Sequence, residues 1–204
     1  MGRPSKFSTD QMLDAAAALI ARGGREAATI VAIAAALGAP SGSVYHRFSS
    51  RDLLIATLWV RTVRRFQAGY REALADPDPT VAAARAIRHV LHWSAENPDD
   101  ARVLLLHSRE SLLAEWPDEL GNELVTLNDD VEADLGRFAA AYFGDVSEEH
   151  AGRVTLALVG VPYSIVRHAI YASEPIAPWM ERAALVAGMS ILNEPSDDNL
   201  KETT

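Results

Sequence analysis

Behind a glycine corner the chain reads Ser41-Gly42-Ser43-Val44-Tyr45-His46-Arg47-Phe48. Two small hydroxyls, a phenol, an imidazole and a guanidinium therefore fall close together, and each has a use on a nucleic-acid surface. The Ser41 and Ser43 hydroxyls can donate to a phosphate or a base edge, and Gly42 lets a helix end approach closely. The Tyr45 hydroxyl can bond a phosphate. Arg47 is the side chain best shaped to bond guanine through two hydrogen bonds. The opposing reading is a solvated face on a small helical domain.

These groups need a rigid mount, and the sequence around them supplies helical period throughout with no strand alternation. Ser8 caps a first helix with Gln11 at the capping-box position, and Met12, Leu13, Ala16, Leu19 and Ile20 form its apolar stripe. Thr29 caps a second helix that Gly38 ends. Pro40-Ser41-Gly42 opens a third, short helix in which Val44 and Phe48 face inward. Ser41, Gly42, Ser43, Tyr45, His46 and Arg47 are then left to face out. Two short helices about a glycine turn are a helix-turn-helix, whose second helix enters the major groove. Ser49, with Asp52 three residues on, is expected to start a long fourth helix reaching about residue 75.

Beyond it, Asp78 and Pro79 mark a cap and a first helical position. Breaks at Asn97-Pro98, Trp116-Pro117, Gly144 and Pro175 to Pro178 leave helices expected near 79–95, 98–114, 118–143, 147–172 and 178–193. Pro162 must kink or interrupt one of them. The tail 194–204 is polar and expected to be disordered.

The composition sets the partners. The net charge of −9 hides an asymmetry: residues up to 70 hold nine bases and four acids, a net of +5, and the rest carries −14. A basic amino-terminal part and an acidic remainder suggest that only the former faces a polyanion. Arg3 and Lys6 precede the first helix, as a minor-groove arm or as a frayed terminus. Absent cysteine removes disulfides and thiolate zinc sites. No apolar stretch reaches the ~18 residues of a spanning helix, which suggests a soluble, cytoplasmic protein and no membrane partner.

The stretch 29–58 resembles the tetracycline-repressor (TetR) family of bacterial transcriptional regulators, in Gly38, Gly42, Tyr45, Phe48 and Arg51-x-Leu53-Leu54. It departs from the family's usual pattern at Val31, where many members carry a basic or polar residue. It departs again at Pro40, in place of a serine cap, and at Ser41, where lysine is frequent. The resemblance implies an all-α chain in which a helix-turn-helix domain, placed at 1–55, joins through the long helix to an effector-binding and dimerisation domain at 56–193. It also implies a double-stranded DNA operator contacted by Arg3, Lys6, Thr29, Ser41, Gly42, Ser43, Tyr45, His46, Arg47 and Arg51. A small-molecule effector and a second copy of the chain complete the implied partners.

For the effector, polar and aromatic groups on otherwise apolar helices are the candidates: His89, His92, Trp93, His107, Glu110, Trp116, Tyr163, Arg167, His168 and Tyr171. Leu158, Val161, Ile165, Ala184, Ala187 and Ile191 are the candidates for an interface between copies. Arg61, Arg64 and Arg65 lie beyond DNA reach and are expected to pair with the acidic part. Two rival functions remain. His89-x-x-His92 could hold a metal with a third ligand, making the chain a metal- or ligand-binding protein without a DNA role. An enzyme is the other, but no phosphate-binding loop, nucleophile elbow or His-Glu-x-x-His motif occurs. The reading favoured is a repressor released from its operator by an effector, with no enzyme activity, cofactor or metal.

Overall fold

A computed structural model describes residues 7–106 and 118–194 of the chain, and every regular element among them is helical. The described residues form two compact units. One takes in residues up to Arg65 together with the stretch 97–128, and the other takes in 66–96 and the residues from Asp129 on. These units do not follow chain order, as a division into 1–55 and 56–193 does.

In the first unit, α1 (Thr9–Gly23) opens on the expected capping box. The Gln11 backbone N–H donates to Ser8 Oγ at 3.1 Å, and the Ser8 N–H donates to Gln11 Oε1 at 2.8 Å. After a 3-10 turn (Arg25–Ala27), α2 (Ile30–Leu37) begins where Thr29 Oγ1 accepts the Ala32 N–H at 3.1 Å. It ends at Gly38, whose φ of 61° lies in the left-handed region that a side chain disfavours. Pro40 precedes α3 (Ser41–Tyr45) and supplies no side-chain cap. Met12, Ile20, Ile33, Val44, Phe48, Leu54 and Leu58 interlock in one core. Val103 and Leu124, from far along the chain, are buried in that same core, which is why 97–128 belongs to this unit. They arrive on α6 (Pro98–Leu106), packed against α1, and on α7 (Glu123–Thr126).

Two boundaries differ from expectation. α4 (Arg51–Leu74) is capped by Ser50, whose Oγ accepts the Leu53 N–H at 3.0 Å. The Ser49 hydroxyl instead donates to Glu119 Oε1 at 3.0 Å. The single helix expected over 118–143 is broken into a 3-10 turn (Asp118–Leu120), α7 and α8 (Asp129–Phe143). Gly121, at a φ of 51°, turns the chain out of helical path at the first break. The second half of the helix expected over 98–114, and the tail from 195 on, lie outside the described residues.

The second unit contains α5 (Pro79–Glu96), α8, α9 (Glu148–Thr155), α10 (Val161–Ala172) and α11 (Pro178–Asn193). As expected, Asp78 caps α5, its Oδ1 accepting the Thr80 and Val81 N–H groups. Pro162 neither ends nor sharply breaks its helix. A π-helical turn (Leu156–Gly160) carries the chain from α9 into α10, with the Val161 N–H donating to the Leu156 carbonyl five residues back. Proline has no N–H for the carbonyl four residues behind it, that of Leu158. The buried Tyr70 hydroxyl, from the part of α4 in this unit, donates to that carbonyl at 3.2 Å. With the turn widened and the carbonyl satisfied, the run Glu148–Ala172 stays helical for 25 residues. By length and composition it meets the measure of a spanning helix, contrary to the expectation that no apolar stretch reaches that measure.

Candidate nucleic-acid interface

The helix-turn-helix rests on a small number of buried anchors. Ile30, Ile33 and Ala34 of α2 are buried, as are Val44 of α3 and Phe48 just beyond it. With those two facing inward, α3 turns the rest of its surface to solvent. Gly42, Tyr45, His46 and Arg47 are exposed, Tyr45 to 55%, whereas Ser41 and Ser43 are half-buried. The phenol, imidazole and guanidinium picked out by type thus lie together on one open surface. Thr29 is exposed at the start of α2, although its hydroxyl is already engaged as the cap. Arg3 and Lys6 fall outside the described residues.

Arg51 is engaged within the chain. Its Nε donates to the Ala28 carbonyl at 2.9 Å, a second nitrogen donates to the Arg25 carbonyl, and Glu26 lies 3.5 Å away. The guanidinium ties the turn before α2 to the first turn of α4. The Arg61, Arg64 and Arg65 cluster pairs with carboxylates as expected, but only partly with those of the acidic remainder. Arg61 reaches Asp14 at 2.8 Å and Asp10 at 3.3 Å, both on α1. Arg64 meets Glu123 at 2.6 Å, and Arg65 meets Asp100 at 3.5 Å and Asp14 at 4.0 Å. All of these pairs hold 97–128 or α1 to α4 within the first unit.

In the second unit, the effector candidates separate into groups. His89 and Trp93 come together with Phe66 and Tyr70 of α4 in an aromatic cluster, with Phe66 5.3 Å from each of the two rings. His89 Nε2 lies 2.9 Å from the Phe66 carbonyl, which can only accept, so that nitrogen carries the proton. Burial, opposed by that hydrogen bond, holds the His89 pKa below its ordinary value, so the ring stays neutral. Gly69 makes room for it: a Cβ there would stand 2.5 Å from His89 Cε1. The phenol of Tyr70 is raised above its usual pKa by burial and remains a donor.

His92 points elsewhere. It is exposed and lies 2.9 Å from Glu181, which Arg88 also meets at 3.1 Å. Hydrogen bonds from His92 and then Arg88 hold the Glu181 carboxyl below the usual carboxylate range. Tyr163, Arg167, His168 and Tyr171 are exposed along α10. His107, Glu110 and Trp116 lie outside the described residues. The metal reading finds no support, since no group of three or more His, Asp or Glu side chains able to hold an ion occurs among the described residues.

The interface candidates also divide. Leu158 and Ala184 are fully buried inside the unit and cannot form a surface, which corrects their placement. Val161, Ile165, Ala187 and Ile191 are half-buried. Large apolar side chains that do stand in solvent include Leu156, Val159, Tyr163 and Tyr171 on one helical run, and Trp179 and Val186 on α11. The small residues of α11 turn inward: a Cβ on Gly188 would meet Ile87 Cδ1 at 2.6 Å and the Ala157 carbonyl at 3.1 Å. Apolar period alone does not say which of two faces a helix buries against its own chain. Phe66 and Tyr70 escaped the sequence reading for a related reason, since the search for polar and aromatic candidates began beyond α4. Their spacing of four, matched by His89 and Trp93, is the signal that could have found them.

An exposed helix of this composition, set behind a glycine corner on a three-helix core, defines a DNA-binding regulator of the helix-turn-helix class. Residues 12–58 match the family of bacterial regulatory proteins described as the tetR family. The match spans 47 of the 204 residues, and over them the chain is similar to that family. Its fold is shared by solved structures at low sequence identity. A transcriptional regulator from Rhodococcus sp. Rha1 is 22% identical, with a TM-score of 0.70 over 91% of this chain and 96% of that one. The TetR family regulator PfmR from Thermus thermophilus is 21% identical, with a TM-score of 0.68 over 91% and 98%. The regulator FadR from Bacillus subtilis, solved in complex with stearoyl-CoA, is 16% identical, with a TM-score of 0.69 over 93% and 100%. No curated protein matches the chain.

Proposed function

We propose that the chain is a cytoplasmic repressor that holds a duplex operator as a homodimer and releases it when a small molecule binds the second unit. The observation that carries the DNA part is the exposure of Tyr45, His46 and Arg47 together on α3 above the buried Val44 and Phe48. Tyr45 meets phosphate and Arg47 meets a base edge, with Ser41, Gly42 and Ser43 at the close approach. Arg51 supports the surface from behind.

Each unit, taken by itself, supports dimerisation. One short helix reads only a few base pairs, and a two-fold pair sets two half-sites about 34–36 Å apart. In the second unit, Leu156, Val159 and Tyr163 lie at helical spacing on one run, and Trp179 and Val186 on α11. Only 33% of the most apolar window in Glu148–Ala172 is buried within the chain. A second copy covering this face accounts for it without a membrane.

The effector reading is supported by the aromatic cluster of Phe66, Tyr70, His89 and Trp93, which joins flat apolar surface to a neutral imidazole. That FadR holds stearoyl-CoA on a similar fold suggests an amphipathic molecule here also. An effector preferring one arrangement of the second unit would shift the population of DNA-competent dimers.

The test separates positioning from readout. Tyr45→Ala should weaken binding to all duplexes alike, whereas Arg47→Ala should relax preference at one operator position. Uniform weakening by Arg47→Ala would remove the base-reading role assigned to it.

A further inference from the structure

α2 reads Ile30-Val31-Ala32-Ile33-Ala34-Ala35-Ala36-Leu37 and carries no polar side chain. A helix that is apolar on every face is normally buried on every face, and α2 is not. Ile30, Ile33 and Ala34 are buried, but Ala35 and Ala36 are exposed and Val31 is 64% exposed. Between residues 29 and 48, Val31 and Tyr45 are the large apolar side chains that stand in solvent. The same stretch contains a single arginine or lysine, Arg47. A reading surface of this make-up neutralises few phosphates and offers apolar contact instead.

The major-groove group that matches such a surface is the C5 methyl of thymine. In a helix-turn-helix the first helix crosses the DNA backbone while the second lies in the groove. The first turn of α2, where Val31 stands, is then at the groove margin. We propose that Val31 packs against a thymine methyl beside the base pairs met by α3, and so specifies thymine at that position of the operator. The inference rests on the DNA-binding reading above and deepens it. Such a contact hides the exposed valine from water only when the base carries its methyl, so it discriminates by an apolar group and not by hydrogen bonding.

The experiment uses the full chain and a duplex that it enriches from a random pool. Each thymine of that duplex is replaced singly by uracil, which removes the methyl and leaves the pairing edge unchanged. One replacement should lower the affinity of the unmodified chain by roughly three- to tenfold, the size of one or two methyl groups withdrawn from burial. Val31→Ala should bind the thymine duplex less well and be indifferent to that replacement, while Val31→Ile should keep the discrimination. Because Val31 is exposed and alanine favours a helix, equal thermal midpoints should confirm that the variants are folded. If no thymine matters to the unmodified chain, or if the same one matters equally to Val31→Ala, the proposal is overturned and the regulator reading stands. That result would leave the α2 face to a protein partner. If no duplex is enriched at all, the DNA-binding reading falls and this inference falls with it.

Discussion

Among single residues, two buried polar groups on α4 show opposite states of satisfaction. The Tyr70 hydroxyl has a partner, the Leu158 carbonyl that Pro162 leaves without one. Tyr70→Phe therefore removes a buried hydrogen bond and strands the carbonyl, and should cost about 1–3 kcal/mol in denaturant unfolding. Thr62, fully buried, has no hydrogen-bond partner for its hydroxyl. Thr62→Val, nearly the same shape, should leave stability unchanged or raise it by about 1 kcal/mol. A clear loss on Thr62→Val would mean that the hydroxyl has a partner, such as an ordered water. Neither state could be read from the sequence, because both depend on which groups tertiary packing brings beside the hydroxyl. The outward character of Tyr45, His46 and Arg47, by contrast, follows from the spacing of Val44 and Phe48 alone.

Among elements, the close approach of α11 to α5 and to the π-helical turn is set by Gly188. Gly188→Ala would press a Cβ against a backbone carbonyl that cannot rotate away, and should destabilise the unit by about 1–3 kcal/mol. The contact between α4 and α5 carries a pH dependence through His89. Its folded pKa lies below the ordinary 6.5, so folded and unfolded states are both neutral well above that value. As pH falls below 6.5 the unfolded chain takes a proton that the folded chain resists, and stability declines. His89→Gln, which can still donate to the Phe66 carbonyl, should flatten the thermal midpoint between about pH 7 and pH 5 relative to the unmodified chain, as read by scanning calorimetry.

The helices whose ends are written locally were legible: Ser8 with Gln11, Thr29 with Gly38, and Asp78 with Pro79 each mark a boundary that the structure keeps. The boundary at Ser49 was missed because Ser50 is an equally good cap and Glu119 draws Ser49 away. The helix over 147–172 is expected from the sequence, but how it passes Pro162 is not legible there, because the support comes from Tyr70, 88 residues away in the chain from the carbonyl it bonds.

For the whole molecule, the charge asymmetry is resolved by internal pairing as much as by an external polyanion. Arg64 and Arg65 contribute to the +5 of the first 70 residues, yet they bind Glu123 and Asp100 from beyond that stretch within the first unit. The part of that charge left to face DNA is correspondingly small. Assembly is the second whole-molecule claim. Val186→Glu, at a side chain 68% exposed, should leave the fold intact by circular dichroism and convert the dimer to monomer in sedimentation. A dimer that survives this change would place the interface elsewhere.

The central claim is that α3 presents a duplex-reading surface, and equilibrium binding tests it most directly. The full chain and Tyr45→Ala are titrated onto duplex from the gene's upstream region and onto random duplex, each at low and at physiological salt. The account predicts selective binding that weakens as salt rises, with a shallow slope because few phosphates are neutralised, and a marked loss with Tyr45→Ala. A folded dimer that binds neither duplex at low salt, or binds both equally and ignores Tyr45→Ala, would contradict it.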